Sequence, residues 1–570
     1  MRKLAETCER VAATTRKLEK IAIVAGYFAS LPPDEAALSA VFLSGRPFPI
    51  WEETTLQIGG RLLWQVIQEL SGKSGHELTA AYRKFGDLGA VAEAVLALHP
   101  RSSDLAISAV QTAFRQISAA RGPVAKSVLT RHLFSRLSPL EAKYVVKIMT
   151  GDLRIGLKES LVEEAIASAF SATPRQVQRA NMLLGDIGET LRLAAANRLA
   201  EATMRLFHPL GFMLASPADS AEAALGYFDQ ALVEDKYDGI RAQAHCAGGE
   251  VRFFSRTRDD ITESFPELPD ALAGLSQEAI FDGEIVAWSY LSADAGTPGR
   301  ALPFTALQQR LGRKRVSHEL IRTVPVAYLV FDVLYAGGKL LIDCPLKERT
   351  QVLDDLLAAP RKPTVIRSRD AQGLLALESA APAVIAQALR APVLRATSPQ
   401  ELDRLFDAAQ ARGNEGLMIK DPASPYTPGK RGKSWLKLKR ELATLDVVVT
   451  AVEYGHGKRI GVLSDLTFAV WDGDRLVNIG KAYSGLTDVE INDLTRWFLD
   501  HTLEDQGFRR VVEPKIVLEV AFNNMMRSAR HDSGYALRFP RILRLRPDKL
   551  PQDADTIERA HEIYAKQSAR

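Results

Sequence analysis

Apolar residues recur at helical spacing through the first 205 positions. Leu161, Val162, Ala165, Ile166, Ala169 and Phe170 fall on one stripe, as a helix packed on one side requires. The neighbouring segments carry start signals. Ser138-Pro139 with Glu141, and Thr173-Pro174 with Gln176, each set a hydroxyl at the N-cap and proline at the first helical position. Each also has an acid or amide two residues after the proline, which closes a capping box. Strand-like alternation is scarce here, so residues 1–205 are predicted to form an all-helical domain.

The period changes after "HPLGFMLASPADS", His208 to Ser220, whose proline, glycine and small polar residues suit a linker over 206–220. In "GIRAQAHC", Ile240, Ala242, Ala244 and Cys246 alternate with Arg241, Gln243 and His245, so the apolar set is expected to face a core. "AGGE" turns the chain into "VRFFSR". "AIFDGEIVAW" and "PVAYLVFDVLY" read as further buried strands, with Asp282-Gly283-Glu284 interrupting the first. Residues 221–440 are therefore predicted to be mixed α and β. From 441 to 570 come short strands, "DVVVTAVEY", "DLTFAVW", "RLVNIGKAY" and "KIVLEVAF", with an Asp472-Gly473 turn and one helix, "DVEINDLTRWFLDHT". Five or so strands and one helix fit a small β-barrel such as an OB-fold. The fold class expected is thus multidomain: an all-α domain, an α+β domain and a β-barrel. Ala358 to Ala396 is rich in Ala and Pro and offers no chemistry.

Composition adds little and excludes more. A chain of 570 residues exceeds one hydrophobic core, so two to four domains are expected. No run approaches eighteen apolar residues, and the first twenty mix charges of both signs without an apolar core, so neither a membrane span nor a secretory signal is expected. Cys8, Cys246 and Cys344 are too scattered for a disulfide framework or zinc spacing, which suits a reduced, cytoplasmic protein. The net charge of +4 is mild, but it is clustered. "RGKSWLKLKR" (431–440) and "RFPRILRLRPDK" (538–549) are dense in Lys and Arg.

The chemistry begins at "VEDKYDGIRAQAH", where Lys236 lies among acids, a glycine and Arg241. Further charged or aromatic residues sit at or within predicted strands: Arg256, Glu284, Phe331 and Glu415, then "SWLKLK". In that last run Leu436 and Leu438 share one face, and Lys437 and Lys439 the other, about 6–7 Å apart. Any one of these is weak. Together and in this order they resemble the motif series of the covalent nucleotidyltransferases, the family of ATP-dependent DNA ligases, RNA ligases and mRNA capping enzymes. "EDKYDGIR" resembles the nucleophile motif, "SWLKLK" the paired-lysine motif, and "RFPRILRLRPDK" the final motif of DNA ligases. "KIMTGDLRIGLKESLVEEAIASAF" is similar to the helical DNA-binding domain of eukaryotic-type DNA ligases. The resemblance covers nearly the whole chain and favours an ATP-dependent DNA ligase.

That resemblance implies roles. Lys236 is the nucleophile toward the α-phosphorus of ATP, and needs cations around it because a lysine amine attacks only when unprotonated. Glu234 contacts the base region, Arg241 and Arg256 lie near ribose and phosphates, and Arg431 is another nucleotide contact. Phe331 stacks on adenine, worth about 1–3 kcal/mol. Lys437 and Lys439 hold phosphates. Glu284 and Glu415 supply oxygens for Mg²⁺. Arg538 and Arg541 orient pyrophosphate once their domain closes. Arg154 and Lys158 contact nicked duplex DNA, which a monomer would encircle. Two departures stand out: Phe212 replaces a proline common in the family, with an effect expected only on the local backbone, and the Ala/Pro-rich stretch is long.

Three alternatives remain open. An RNA ligase or capping-type nucleotidyltransferase would share the lysine motif but not the helical domain or the closing motif. A non-catalytic nick-binding protein would take up no nucleotide. An unrelated ATPase would need a G-x-x-x-x-G-K-[ST] loop, which is absent. The lack of a four-cysteine zinc site speaks against the NAD-dependent ligases.

Overall fold

Helices occupy the first part of the chain because the start signals work as read. Pro139–Met149 and Pro174–Leu184 each begin with a reciprocal capping box, Ser138 with Glu141 and Thr173 with Gln176. Between them, Glu159–Ala169 buries Leu161, Val162, Ala165 and Ile166. The computed structural model describes residues 1–570 except 53, 98–104, 229, 291–298, 311–315, 359–386, 440–442, 456–458, 460 and 569–570. Most of the Ala/Pro-rich stretch therefore lies outside the described residues. The described chain divides into two compact units, Met1–Ser74 with Leu88–Lys439, and Gly75–Asp87 with Arg440–Arg570. The helix Gly75–Phe85 groups with the second unit.

In the first unit the strands are β1 (Leu214–Ala218), β2 (Ala231–Lys236), β3 (Ile240–Ala247), β4 (Glu250–Ser255), β5 (Ala279–Ser289) and β6 (Arg300–Ala301). They continue with β7 (Val326–Ala336), β8 (Lys339–Leu340), β9 (Gln387–Arg390), β10 (Leu394–Ala396), β11 (Gly416–Lys420) and β12 (Arg431–Leu438). One sheet runs β1-β12-β11-β2-β10; the other runs β4-β3-β5-β7-β8, with β6 on β5 and β9 on β7. The turn between β3 and β4 uses Gly248 and Gly249 at φ of 58° and 83°, which a tight hairpin demands.

Two readings change, and a polar face proves covered. Asp282-Gly283-Glu284 does not interrupt its strand: β5 runs through it, with a register shift against β7 between Asp282 and Gly283. The polar face of β3 is not solvated. Gln243 and His245 are fully buried. Gln243 bonds both the N–H and the carbonyl of Leu210, and His245 Nδ1 accepts from the Phe207 N–H. The predicted linker is thus a buried strap over that face, with Leu210, Phe212 and Met213 buried, and it continues into the other sheet as β1. Alternation in the sequence could not distinguish a polar face covered by protein from one covered by water.

The second unit holds β13 (Ala443–Tyr454), β14 (Leu463–Asp472), β15 (Arg475–Ala482), β16 (Thr502–Asp505), β17 (Arg509–Val512) and β18 (Val517–Phe522). It also holds β19 (Asn524–Arg527), β20 (Tyr535–Arg538) and β21 (Arg541–Leu545). The sheet order is β15-β14-β13-β17-β16, with β18 bridging β13 and β21, while β19 and β20 form a separate hairpin. More strands form than expected, because charged segments such as Thr502–Asp505 pair as edge strands without an apolar period. The helix Asp488–Asp500 starts at a Thr487/Glu490 capping box and buries Ile491, Leu494 and Phe498.

Candidate active site

The site is assembled on β2, β11 and β12 by their register. Gly416 pairs with Lys236, Met418 with Glu234 on one side and with Lys437 on the other. Glu415, just before β11, donates its N–H to the Lys236 carbonyl at 2.8 Å. Its carboxylate then receives both Lys236 Nζ and Lys439 Nζ. Gly416 is required here, at φ +145° and with a Cβ position only 2.3 Å from the Leu438 carbonyl oxygen.

Alternation along β2 separates the two acids beside Lys236. Asp235 points to the other face, where Arg412 meets it bidentately at 2.8 and 2.9 Å and Asn414 Nδ2 at 2.8 Å. The acid next to the lysine therefore anchors the segment that delivers Glu415. Glu234 lies on the lysine's own face but is buried, bonded by Lys420 Nζ at 2.6 Å. Lys420 is 4.4 Å from the centres of both the Phe331 and Trp435 rings. Phe331 itself is partly exposed, and Trp435 meets it edge-on at 6.1 Å. Its strand is locked by Asp332, which pairs with Arg349 at 2.8 Å through both oxygens, both side chains fully buried.

On the second sheet Arg241 pairs in register with Glu284. Gly239 allows the approach, since a Cβ there would sit 2.3 Å from the Ile285 carbonyl oxygen. Arg241 donates to Asp282 at 3.0 and 2.6 Å and to the Met213 carbonyl at 2.6 Å, so most of its reach is spent on protein groups. Phe212 does more than shape the backbone: its ring centre is 5.1 Å from the Arg241 guanidinium.

Electrostatics differ sharply between the two acids. Burial pushes the Glu284 carboxyl up to about 7, with Asp282 and Glu415 adding to the rise and Lys236 and Arg241 opposing it. Burial also acts on Glu415, but Lys236 and Lys439 outweigh it and hold that carboxyl below the usual range. Lys437 and Lys439 are both lowered, first by burial and then by neighbouring cations.

A family profile described as "ATP dependent DNA ligase domain" matches residues 212–439, and "DNA ligase N terminus" and "ATP dependent DNA ligase C terminal region" match 1–167 and 459–549. The chain belongs to the ATP-dependent DNA ligase family. A "Probable DNA ligase" of Koribacter versatilis is 59% identical over 570 residues, covering 100% of this chain and 97% of its own. A "DNA ligase" of Methanothrix thermoacetophila is 36% identical over 100% of this chain and 99% of its own. Among solved structures, the chain titled "Pmar-Lig_PreS3" shares the fold at a TM-score of 0.58 and 15% identity, over 95% of this chain and 99% of that one.

Within this ligase-family chain, Lys236, Glu415 and Lys439 form one contact cluster, and Glu234, Lys420 and Phe331 another. Arg256 is exposed on the turn after β4, and Arg431 is exposed at the start of β12. Arg154 is exposed, at φ +51°, and pairs with Asp152 at 2.5 Å; Lys158 is exposed at the N-cap of Glu159–Ala169. Arg538 ends β20 and Arg541 starts β21, both in the second unit. Among the described residues no group of three or more His, Cys, Asp or Glu side chains suits a metal. Sequence reasoning missed Lys420, Asp282, Tyr426 and Trp435. The lysine ends "EGLMIK", and a charged residue closing an otherwise apolar strand was the available signal.

Proposed function

We propose that this chain seals nicks in duplex DNA at the expense of ATP, with Lys236 as the point of covalent attachment. Lys236 Nζ forms a bond to the α-phosphorus as the bond to pyrophosphate breaks. AMP then passes to the 5′-phosphate of the nick, and the 3′-hydroxyl displaces it. The carrying observation is the bridge of Glu415 between Lys236 and Lys439 on adjoining strands, inside the segment matching the ligase catalytic domain.

In this reading residues 1–205 bind DNA, 206–220 link, 221–440 carry adenylation and 441–570 form an OB-type barrel. Phe331 presents its open face to adenine, Glu234 and Lys420 flank the base, and Arg241, Arg256 and Arg431 serve ribose and phosphates. Lys437 supports a phosphate beside Lys439. Glu284 and Glu415 would hold Mg²⁺; a buried carboxyl raised to about 7 is one that a cation would restore to its charged form, and an ion needing few protein ligands fits a pair of carboxylates. When bound, the ion neutralises phosphate charge. Arg538 and Arg541 are assigned to pyrophosphate, and Arg154 and Lys158 to the DNA backbone, read through phosphates rather than bases. The chain acts as a monomer around nicked duplex DNA in the cytoplasm, in replication or repair.

Incubation with α-labelled ATP and Mg²⁺ should label the wild-type protein and leave Lys236→Ala unlabelled. Label on the alanine variant would remove Lys236 from its role. Sealing of nicked RNA duplexes in preference to nicked DNA would move the chain to the RNA ligases.

A further inference from the structure

The geometry points to Tyr426, acting with the backbone of Met213, as the positioning residue that fixes Arg241 for the nucleotide. Tyr426 lies on the segment between β11 and β12, distant in sequence from every other member of the group. Its hydroxyl donates to Asp282 Oδ2 at 2.6 Å and accepts from the Met213 N–H at 3.0 Å. Asp282 in turn receives Arg241, and Arg241 Nη1 returns to the Met213 carbonyl at 2.6 Å. The four residues close a ring of hydrogen bonds, and Asp282, Tyr426 and Met213 are buried. One hydroxyl serves as both donor and acceptor in that ring, so its removal opens the circuit at two places and leaves the buried Met213 N–H unmatched.

Arg241 has nowhere else to go. The rings of Phe212, Phe331 and Trp435 stand 5.1, 5.5 and 5.5 Å from its guanidinium. Its hydrogen bonds to Asp282 and Met213 use Nε, Nη1 and Nη2 once each, three of five N–H donors, and its side chain is still 17% exposed. A planar group clamped on one edge and partly open on the other is pre-organised to bond an oxygen of a bound ligand. Phe331, the ring assigned to adenine, stands beside the guanidinium, so the ligand oxygen belongs to the ribose or phosphate of the same nucleotide. Phe212 gives this clamp a feature of its own, because a proline at that position has no aromatic face to lay against the guanidinium.

The inference rests on the reading that Arg241 faces the nucleotide, and the test separates the two. Self-adenylation of the full chain is titrated with ATP for wild type, Tyr426→Phe, Arg241→Met and the double variant, with Tm recorded for each. Tyr426→Phe should raise KM for ATP about tenfold with kcat within about threefold, and in the Arg241→Met background should add less than about twofold. A purely structural tyrosine would impose the same penalty in both backgrounds, and that result overturns the proposal. So does an unchanged KM in Tyr426→Phe. Should Tyr426→Phe fail to fold, Phe212→Leu is titrated in the same two backgrounds, with the same non-additivity expected and additivity again overturning it. If Arg241→Met alone leaves KM for ATP unchanged while Lys236 still takes label, the nucleotide-facing reading of Arg241 falls, and this inference with it.

Discussion

Replacing Glu284 with glutamine should make the protein more stable at alkaline pH and less able to take up nucleotide. The carboxyl is pushed from its ordinary 4.5 up to about 7, chiefly by burial. Holding it ionised above that pH costs the folded state about 3 kcal/mol. The sign follows from proton counts. Between pH 4.5 and 7 the folded protein keeps a proton on Glu284 that the unfolded chain has lost, so the stability contributed by this group falls as pH rises through that window. Below the window wild type and variant should match; above it the variant leads by the full amount. For a domain of roughly 150–250 residues this is about 6–12 °C in Tm. Differential scanning of both proteins at pH 5 and pH 8, without nucleotide or metal, measures it. A gap of the same size at both pH values would mean the effect comes from packing and would refute the assignment. Labelled-ATP uptake measured on the same samples should be lost in the variant at both pH values.

Other expectations follow from the same geometry. Lys420→Met leaves Glu234 buried without its partner and should cost about 3–5 kcal/mol, most of it regained in a Lys420→Met/Glu234→Gln double variant, read from denaturant midpoints of each. Binding to a nicked duplex should weaken with salt, and Arg154→Ala or Lys158→Ala should each lower the slope of log affinity against log salt by about one, measured by fluorescence anisotropy. Removing residues after 439 should impair reaction with ATP more than sealing of pre-adenylated nicked DNA; equal losses in the two gel assays would count against a role for the second unit in the pyrophosphate step.

Helix starts were legible because capping is local: Ser138, Thr173 and Thr487 each satisfy backbone donors within one turn. The cluster of Lys236, Glu415 and Lys439 was legible for a different reason, since its charged residues come as short strings on or beside single strands. What pairs with them was not. Lys420 meets Glu234 through the register of β11 on β2, Tyr426 reaches Asp282 from the segment between β11 and β12, and Arg349 reaches Asp332 from the helix Leu346–Ala358, so no one segment encodes these pairs. Asp235 shows the limit within a single motif. It reads as another acid beside the lysine, yet the pleat turns it to the opposite face, where it anchors Arg412 and Asn414. The strap from Phe207 to Met213 read as a linker because its proline and glycine break periodicity, although its backbone groups are bonded into the core.

Glu415 is shared between two amines, and in the proposed reaction only one of them, Lys236, becomes bonded to phosphorus. As a phosphoramidate that nitrogen would no longer carry a positive charge, so the carboxylate would be left with Lys439 alone. The balance of charge in the pocket therefore resets with each turnover, without any strand having to move. A resting enzyme and its charged intermediate would present different fields to an approaching polyanion, and the difference is written into one shared hydrogen-bond acceptor.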